Sequence, residues 1–400
     1  MKEILVVINT LGRAGAETAL MELLRRLDPN SCHVSLYVLM NQGEMVCELP
    51  EHVDLLNRRY DDSPVLSKEG RKRLWGKVFS AMWRHGAVFK NLPYLVKNAA
   101  IMRKNGRLLP DKLLWRVLSD GGQKTNVFYD LAVAFLEGGS AYYVADHVQA
   151  AKKAVFFHVD YLQAGYARAL DRNCYLRYDR IFPVSDEVKA SFLQVYPECA
   201  ERTEVFHNMV NPKRIREKAE LPGGFADPFD GKRILTVGRL TAQKALELSI
   251  EAMRLLKDAG EPVRWYVLGD GDRRAELEEK IRALGLEEDF LLLGAVDNPY
   301  PYMKQADLYV HASRFEGKSI AIQEAQILGK AILVSDCSGN REQVNPGTDG
   351  MICSLTPESI FAEIRALLLD ESKRARLGAA AALRKQTEES ELEKLLFLLK

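Results

Sequence analysis

Long apolar runs and paired cysteines are both missing from this chain of 400 residues. Its apolar stretches fall short of the roughly 18 consecutive residues that a membrane-spanning helix requires, so we expect no membrane span. The six cysteines are scattered without any C-x-x-C spacing, which predicts reduced cytoplasmic thiols and no zinc site. The apolar start, residues 1–8, is too short for a signal peptide and has no small-residue cleavage site, so we expect a first β-strand there.

A surplus of either charge is also absent, because the formal net charge is only +1. This balance hides a basic aromatic segment, residues 66–116, which holds thirteen Lys or Arg, two acids and three of the four tryptophans. The remainder of the chain is therefore net acidic. Within residues 74–89 the apolar side chains, Trp75 and Phe89 among them, repeat with the period of a helix, and Lys77 and Arg84 lie opposite.

This pattern is typical of a helix that lies in a membrane interface, with aromatic rings at the headgroups and cations on anionic lipid. The alternative is an amphipathic helix that packs on its own domain while its charges are solvated. Nucleic-acid binding is a third possibility, and we do not expect it because no recognition module accompanies the charge. The sequence thus predicts a cytoplasmic protein, peripheral on the inner face of the cell membrane, whose segment 66–116 contacts an anionic membrane surface.

The rest of the chain alternates short apolar runs with helical patterns, and its length favours two domains. Strands are predicted at 4–9, 33–40, 131–135, 154–157, 180–184, 233–237, 263–268, 290–293, 307–310 and 331–334. Helices are predicted at 16–27, 142–149, 187–196 and 245–256, and after each later strand. Such alternation with buried strands predicts parallel sheets with right-handed crossovers. The expected fold class is α/β, with two Rossmann-like domains that face each other across a ligand-binding cleft.

The stretch 208–231 holds three prolines and three glycines, which is the composition of a linker. We therefore expect an N-terminal domain over 1–207, with 66–116 as an insertion, a linker over 208–231, and a C-terminal domain over 232–385. Residues 386–400 are expected to form a helix, and a return to the first domain is one option for it.

The most informative stretch begins at Glu316 and ends at Glu324. Ile320 and Ala325 share one apolar face of the predicted helix, and Glu324 falls inside that face. A carboxylate on a core-facing surface is unfavourable unless something pairs with it. Glu316 follows an apolar strand, at the edge of the sheet where ligands of open α/β folds bind. Each of these two carboxylates is expected to pair either with a structural cation or with a ligand.

Two cations, Arg239 and Lys244, follow the predicted strand 233–237 and precede a helix. A helix N-terminus favours an anion, and a planar guanidinium beside a point charge suits a diphosphate. The alternative is a pair of ordinary solvated charges. A second anion site is predicted at the start of the helix that carries Glu324, at Lys318, Ser319 and Ile320.

Two glycine motifs are weaker indications. Gly317-Lys318-Ser319 lacks the glycine that a nucleotide-triphosphate loop requires upstream, since Ala312 stands there. Residues 269–272, Gly-Asp-Gly-Asp, lack the third glycine of a dinucleotide-binding fingerprint. We interpret them as a tight turn, with a metal-binding acid pair as the alternative.

In order and spacing, these motifs resemble those of the family 4 retaining glycosyltransferases, which have the GT-B fold. Over residues 233–344 the resemblance rests on Val237-Gly238-Arg239-Leu240 with Lys244, Gly269-x-Gly271, Ser313-x-x-Glu316-Gly317 with Glu324-Ala325, and Ser338-Gly339-x-x-Glu342. In the first half it is thinner and rests on Gly15-Ala16-Glu17, His158, Ser185 and Asn208. The resemblance implies transfer of a sugar from a nucleotide-diphosphate sugar, with retention of configuration, no essential metal and no other cofactor.

The resemblance also implies the roles of single residues. Arg239 and Lys244 would hold the diphosphate and stabilise the leaving group, and Glu324 would accept both ribose hydroxyls. Glu316 and His158 would lie near the donor sugar, so that the expected catalytic residues are His158, Glu316, Arg239 and Lys244. The donor site would be completed by close backbone approach at Gly15 and by a phosphate contact at Lys318, Ser319 and Ile320. A structural histidine at 158 and a helix N-cap at Ser185 are the alternatives.

Three positions depart from the family pattern. Ala14 stands for the first of two glycines, Ala245 for the glycine after Lys244, and Lys318 for an apolar residue. The first departure predicts a tighter or shifted loop, and the third adds a cation beside the diphosphate. None removes the core of the site, so we expect an active enzyme.

The function predicted is that of a retaining glycosyltransferase that extends a glycan or polyprenyl-linked acceptor in cell-surface polysaccharide biosynthesis. The first alternative is a nucleotide-sugar epimerase or hydrolase of the same fold, which needs no acceptor. The second is a non-catalytic nucleotide-sugar-binding protein.

Overall fold

The computed structural model of the protein describes residues 1–104, 109–384 and 390–400. The chain divides into two compact units, Met1–Met209 with Glu388–Lys400, and Val210–Thr387. The domain limits proposed above, 1–207, 208–231, 232–385 and 386–400, stay a prediction. Residues 105–108 of the insertion, and 385–389 at the last limit, lie outside the described residues.

A parallel sheet of six strands forms the core of the first unit. The strands are β1 Lys2–Ile8, β2 Cys32–Val38, β3 Val53–Leu55, β4 Phe128–Ala134, β5 Gln149–Phe157 and β6 Arg180–Pro183. Their order is β3-β2-β1-β4-β5-β6, so the winding reverses between β1 and β4. Ile4 to Ile8 are buried on both faces of the sheet, which explains why β1 is a continuous apolar run rather than an alternating one.

Helices connect these strands and cover the sheet. They are α1 Gly15–Arg26, α2 Lys68–Trp83, α3 Ala87–Lys90, α4 Leu92–Lys104, α5 Pro110–Asp120, α6 Gly139–His147, α7 Arg168–Asp171 and α8 Asp186–Val195. Helix α8 begins after Ser185, whose hydroxyl accepts a hydrogen bond from the Val188 N–H at 3.2 Å. The N-cap function that the sequence left open for Ser185 is therefore present.

The second unit repeats this architecture. Its strands are β7 Lys232–Val237, β8 Val263–Leu268, β9 Phe290–Gly294, β10 Leu308–His311, β11 Ile332–Ser335 and β12 Met351–Cys353, in the order β12-β11-β10-β7-β8-β9. Its helices are α9 Pro212–Ala219, α10 Leu246–Asp258, α11 Arg274–Ala283, α12 Tyr300–Gln305, α13 Ile320–Ile327, α14 Ser338–Gln343, α15 Pro357–Leu369 and α16 Glu371–Ala382.

Every predicted strand is present within a few residues of its predicted place, and two short edge strands, β3 and β12, were not predicted. Each has only three residues, too few to show a period in the sequence. Helix α9 lies inside the stretch predicted to be a linker. Asn211 accepts a hydrogen bond from the Arg214 N–H at 3.0 Å, and Pro212 occupies the first turn, so turn-forming residues here start a helix.

The last helix, α17 Ser390–Leu396, belongs to the first unit. Its Glu391 carboxylate accepts a hydrogen bond from the His207 N–H at 3.0 Å. Lys394 donates to the Val205 carbonyl at 2.7 Å, and Leu395 is buried. Helix α17 therefore packs on the first unit.

The single helix predicted over residues 74–89 is wrong. Helix α2 ends at Trp83, because His85 and Gly86 both have positive φ angles, 53° and 66°. Leu74, Val78 and Met82 of α2 pack in one cluster, against Met40, Ala81 and Leu118. This face of the helix therefore packs on its own domain, as the alternative interpretation required.

The aromatic side chains of the segment form a separate exposed surface. Trp75, Phe79 and Phe89 are each more than 60% exposed, and Trp83 is 50% exposed. The Trp83 ring centroid lies 5.9 Å from that of Phe79 and 5.5 Å from that of Phe89. We call Trp75, Phe79, Trp83 and Phe89 the aromatic surface.

Two residues of segment 66–116, the segment predicted to contact a membrane surface, are engaged by the first unit. Trp115 is half-buried and packs on the core of the first unit. Lys77 forms an ion pair with Asp61 at 2.8 Å and donates to the Asn41 carbonyl at 2.7 Å. Both are structural residues. Within the described ranges, no helix has the length and apolar character needed to cross a bilayer.

Candidate functional site

The candidate site of the second unit lies at the carboxyl ends of β7 and β10. These neighbouring strands flank the point where the winding reverses, which is where open α/β sheets bind ligands. The loop after β7 carries Arg239 and Lys244, and the loop after β10 carries Glu316. Topology therefore brings together residues that stand about seventy positions apart in the sequence.

The glycines beside this site allow loops to pack closely. Gly269 has φ +142°, and a Cβ there would lie 2.0 Å from the Gly238 carbonyl oxygen. A Cβ at Gly271 would lie 2.3 Å from the Leu240 carbonyl oxygen. Residues 269–272 thus form the predicted tight turn, and their glycines are needed because another backbone passes next to them.

Lys244, Glu316 and His311 form a buried cluster at the centre of the site. The Lys244 Nζ lies 2.5 Å from the Glu316 Oε1 and 3.1 Å from the His311 Nε2. The His311 Nε2 also lies 3.0 Å from the Glu316 Oε1. The side chains of Lys244, Glu316 and His311 are 13%, 8% and 1% exposed.

The charges of this cluster follow from its surroundings. Burial would raise the pKa of the Glu316 carboxyl, but the Lys244 ammonium and the His311 ring outweigh it and hold the pKa well below its usual range. Burial and the nearby Lys244 charge lower the pKa of His311, so its ring is neutral at pH 7. A buried ion pair contributes little net stability, which favours a functional reason for a cation at this edge of the sheet.

Arg239 and Ala245 flank the cluster. Arg239 is exposed, and its guanidinium has no hydrogen bond or ion pair within the part of the chain that the structure describes. It is available to a ligand. Ala245 is buried with φ +45°, a left-handed conformation that favours glycine. The glycine usual in the family after Lys244 is thus explained by the backbone, and alanine adopts the same turn here.

Glu324 lies on α13 and is 7% exposed. Its Oε1 accepts a hydrogen bond from the Tyr300 hydroxyl at 2.8 Å. The sequence left a structural cation or a ligand as the alternatives for Glu324, and the structure places a tyrosine hydroxyl at the start of α12 among its partners.

The start of α13 is where the second anion site was predicted. The Ser319 N–H, which was expected to bind a phosphate, donates to the Gln343 Oε1 at 2.7 Å, and the Gln343 Nε2 donates back to the Ser319 carbonyl at 2.8 Å. This N–H is therefore engaged by the protein. Ile320 is buried and Lys318 is half-buried beside it.

His158 lies at the carboxyl end of β5 in the first unit. Its N–H donates to the buried carboxylate of Glu137 at 3.0 Å. The His158 Nε2 is buried and has no hydrogen-bond partner among residues 1–104, 109–384 and 390–400. Burial lowers the pKa of His158 to about 3, although a backbone hydrogen bond at Phe135 acts in the opposite direction. The ring is neutral and has an unused nitrogen, as a sugar contact requires.

Gly15 is the first residue of α1. A Cβ built there would meet no atom within 4 Å. The fold itself therefore does not require glycine at this position, which is consistent with a ligand that approaches the backbone closely.

Sequence reasoning missed several residues next to the predicted ones. His311, Tyr300, Gln343 and Glu137 each contact a predicted residue. His311 is the last residue of β10 and Glu137 follows β4, so the rule that located Glu316 would also have found them. Tyr300 and Gln343 have no such signal, since their contacts depend on how helices pack.

No group of three or more His, Cys, Asp or Glu side chains that could hold a metal is found within the described ranges. The acids of residues 269–272 fit this result, because Asp270 accepts a hydrogen bond from the Gly271 N–H at 2.8 Å as part of the turn.

Comparison with known proteins finds a family that part of the chain matches. Residues 219–384 match the family model described as Glycosyl transferases group 1. The N-acetylgalactosamine-N,N'-diacetylbacillosaminyl-diphospho-undecaprenol 4-alpha-N-acetylgalactosaminyltransferase of Campylobacter jejuni is 32% identical over 202 residues, 50% of this chain and 53% of the relative. The amylovoran biosynthesis glycosyltransferase AmsK of Erwinia amylovora is 30% identical over 178 residues, 42% of each chain. The chain thus spans about half the length of the curated relatives it matches.

Solved structures are similar over the whole chain. Anabaena HepE in complex with UDP and glucose has a TM-score of 0.69 at 17% identity and covers 100% of this chain and 99% of its own. The crystal structure of TarM has a TM-score of 0.67 at 13% identity, and the match covers 100% of this chain and 99% of TarM. The fold is therefore GT-B, with two Rossmann-like α/β units, as predicted. Residues 219–384 are similar to the glycosyl transferases group 1, and over these residues the resemblance seen in the sequence is confirmed.

Proposed function

We propose that this protein is a retaining, metal-independent glycosyltransferase that takes a sugar from a nucleotide-diphosphate donor. The observation that carries the proposal is the convergence of Lys244, Arg239 and Glu316 at the winding reversal of the second sheet, inside the segment that matches the family model. Fixed cations at such a point stabilise the negative charge that develops on a departing diphosphate. The UDP present in the HepE structure supports a nucleotide diphosphate as the ligand.

The proposed residue roles follow the geometry of each unit. Lys244 and Arg239 bind the diphosphate, and Glu324 binds the ribose. Glu316 lies near the donor sugar, and the start of α13, at Lys318, Ser319 and Ile320, contacts a phosphate. The first unit contributes Gly15 to a phosphate and the neutral ring of His158 to the sugar.

The proposed reaction proceeds on one face of the sugar. The bond between the anomeric carbon and the diphosphate oxygen breaks, the acceptor oxygen bonds to the same carbon, and the acceptor proton passes to the departing phosphate. No side chain of the protein serves as a covalent nucleophile in this scheme. A glycosyl–protein adduct trapped in mass spectrometry would contradict it.

The proposed acceptor is a glycan carried on a polyprenyl diphosphate, and the proposed process is cell-surface polysaccharide biosynthesis. Two relatives support this: the name of one contains diphospho-undecaprenol, and that of the other amylovoran biosynthesis. The proposed location is the cytoplasmic face of the membrane, which would place the protein beside a lipid-linked acceptor.

Acceptor-dependent release of UDP tests the proposed activity. A panel of UDP-sugars is incubated with the protein, with and without a short-chain polyprenyl diphosphate-linked saccharide, in the presence and absence of EDTA. A glycosyltransferase releases UDP only with acceptor, keeps the anomeric configuration in the NMR spectrum of the product, and is insensitive to EDTA. Release without acceptor would indicate a hydrolase, and sugar conversion without release an epimerase.

The Lys244→Met variant separates an enzyme from a binding protein. Loss of one charge-stabilising group is expected to lower kcat by about 100-fold or more, because the additional negative charge on the departing diphosphate develops in the transition state. A variant that loses donor affinity alone and keeps kcat would indicate a simple binding role.

We further propose that the aromatic surface contacts anionic lipid. Four exposed aromatic side chains lie in a segment whose Lys72, Arg84, Lys90 and Lys97 are also exposed, and this combination suits a headgroup region. Phe79, Trp83 and Phe89 together replaced by Ser are expected to abolish co-flotation with vesicles of anionic phospholipid. Leu369→Ser, which removes an equally exposed apolar side chain from the second unit, is the control. Equal flotation of both variants would contradict lipid binding through this surface.

A further inference from the structure

The contacts among Lys244, His311 and Glu316 cannot all be hydrogen bonds at once. The Lys244 ammonium only donates and the Glu316 carboxylate only accepts, whereas the His311 Nε2 either donates or accepts according to its tautomer. If Nε2 carries a proton, it donates to Glu316 and cannot accept from Lys244. If it carries none, it accepts from Lys244. The tautomer of His311 therefore decides whether its Nε2 bonds to Lys244 or to Glu316.

Tyr309 can serve both tautomers of His311. Its hydroxyl lies 3.2 Å from the His311 Nδ1 and 3.4 Å from the Val237 carbonyl oxygen. When Nδ1 is protonated, the hydroxyl accepts from it and points its own proton at Val237. When Nδ1 is unprotonated, the hydroxyl donates to it. The ring is thus held in place without either tautomer being imposed.

Binding of a diphosphate to Lys244 would take the main partner from the buried Glu316, and His311 can replace that partner. In the ligand-free structure Lys244 is the charge that neutralises the buried Glu316, and the other nearby donor, the Gln243 Nε2, is 3.5 Å from the Glu316 Oε2. A ligand that draws Lys244 away leaves Glu316 buried with its main partner lost, which is strongly unfavourable.

We propose that His311 is a positioning residue that frees Lys244 for the diphosphate, by accepting from Lys244 in the ligand-free protein and donating to Glu316 once Lys244 turns to the ligand. The ring stays neutral throughout, because Nδ1 gives its proton to water and Nε2 receives one from water. This inference rests on the proposed function, since it takes the ligand of Lys244 to be a diphosphate.

Calorimetric binding of UDP and of inorganic pyrophosphate tests the proposal. His311→Phe keeps a ring beside Tyr309 but removes both nitrogens. The affinity for both ligands is expected to fall about tenfold or more, because a buried acceptor is then left without a donor. His311→Gln, whose amide both donates and accepts, is expected to bind within a few-fold of the native protein. It also serves as the test variant should the Phe variant not fold.

A second substitution identifies the cause of the loss. In Glu316→Gln no buried charge is stranded when Lys244 moves, so adding His311→Phe to this background is expected to leave UDP affinity unchanged. A tenfold loss that persists in this background, or native affinity in the single His311→Phe variant, would overturn the proposal.

The histidine tautomer gives a readout that a merely structural role would not move. In ¹⁵N NMR spectra, with the His311→Gln variant used for assignment, the proton is expected on Nδ1 without ligand and on Nε2 with UDP. An unchanged tautomer would contradict the exchange of partners.

Lys244→Met distinguishes failure of this inference from failure of the proposed function. If Lys244→Met binds UDP as the native protein does, the diphosphate site itself is wrong. If Lys244→Met binds UDP more weakly while His311→Phe and His311→Gln bind it normally, the diphosphate site is correct and the role proposed for His311 is wrong.

Discussion

At the scale of single residues, Gly15 offers the cleanest separation of ligand binding from stability. Because a Cβ there meets no atom within 4 Å, Gly15→Ala should leave the free energy of unfolding unchanged or raise it by up to about 1 kcal/mol, as Gly-to-Ala changes in helices do. A phosphate that approaches this backbone would meet the new methyl group, so the KM for the donor should rise. Donor kinetics and urea unfolding measure the two effects.

Gly76→Ala is the matched control for Gly15→Ala, since this helical glycine of α2 also has nothing within 4 Å of an added Cβ. It should affect stability alone. If Gly15→Ala keeps a native KM, the close approach of a phosphate at Gly15 is refuted.

His158 predicts a pH dependence of stability. In the unfolded chain a histidine titrates near pH 6.5, whereas in the folded protein burial lowers its pKa to about 3. The unfolded state therefore binds a proton first as the pH falls, so this contribution to stability is present above about pH 6.5 and is lost progressively towards pH 3. Between pH 7 and pH 5 the loss is about 2 kcal/mol.

The measurement compares urea unfolding of the native protein and His158→Asn at pH 7 and pH 5, followed by tryptophan fluorescence, since three of the four tryptophans lie in the first unit. The free energy of unfolding of the variant, relative to that of the native protein, should be about 2 kcal/mol higher at pH 5 than at pH 7. An equal difference at both pH values would show that the ring is protonated in the folded state.

At the scale of elements, helix α2 shows how one segment can meet two requirements. Its Leu74, Val78 and Met82 pack inward, while Trp75 and Phe79 stay exposed. The sequence pattern assigned Trp75 to the same face as the three inward residues. The inward face is selected by neighbouring elements such as α5, which periodicity within α2 does not reveal.

Lys77 should anchor α2 rather than bind lipid. Burial raises the pKa of Asp61, but the Lys77 ammonium and Ser63 outweigh it and bring the pKa below its usual range, which indicates a stabilising contact. Lys77→Met should therefore destabilise the first unit by about 1–2 kcal/mol, a typical cost for a hydrogen bond to a charged group that is only partly buried.

Arg84→Met is the control, because Arg84 is exposed and its substitution should change stability by less than about 0.5 kcal/mol. Urea unfolding at neutral pH checks both variants. A Lys77→Met protein that is as stable as native but no longer floats with anionic vesicles would return Lys77 to the lipid-binding residues.

At the scale of the whole molecule, the chain starts in the first unit, passes through the second and ends in the first. Leu395 in α17 is 1% exposed, so its truncation to Ala should cost about 2–4 kcal/mol. The loss should appear only in the thermal transition of the first unit in scanning calorimetry. UDP, which is proposed to bind mainly to the second unit, should raise the other transition and so identify it.

Leu383→Ala is the matched control, since this leucine of the second unit is 87% exposed. Its substitution should leave both transitions in place. If Leu395→Ala lowers both transitions equally, the two units unfold as one cooperative body.

The sequence by itself determined the α/β class, the ten longer strands and the edge of the second sheet where Arg239, Lys244 and Glu316 meet. These follow from local information, because strand and helix periods span only a few residues and parallel strands must all present their carboxyl ends to one edge. Tertiary structure alone decided which partner each side chain takes: Tyr300 for Glu324, Gln343 for the Ser319 N–H, Asp61 for Lys77 and His311 for Lys244. Contacts of this kind depend on how separate elements pack, so no period within one element encodes them.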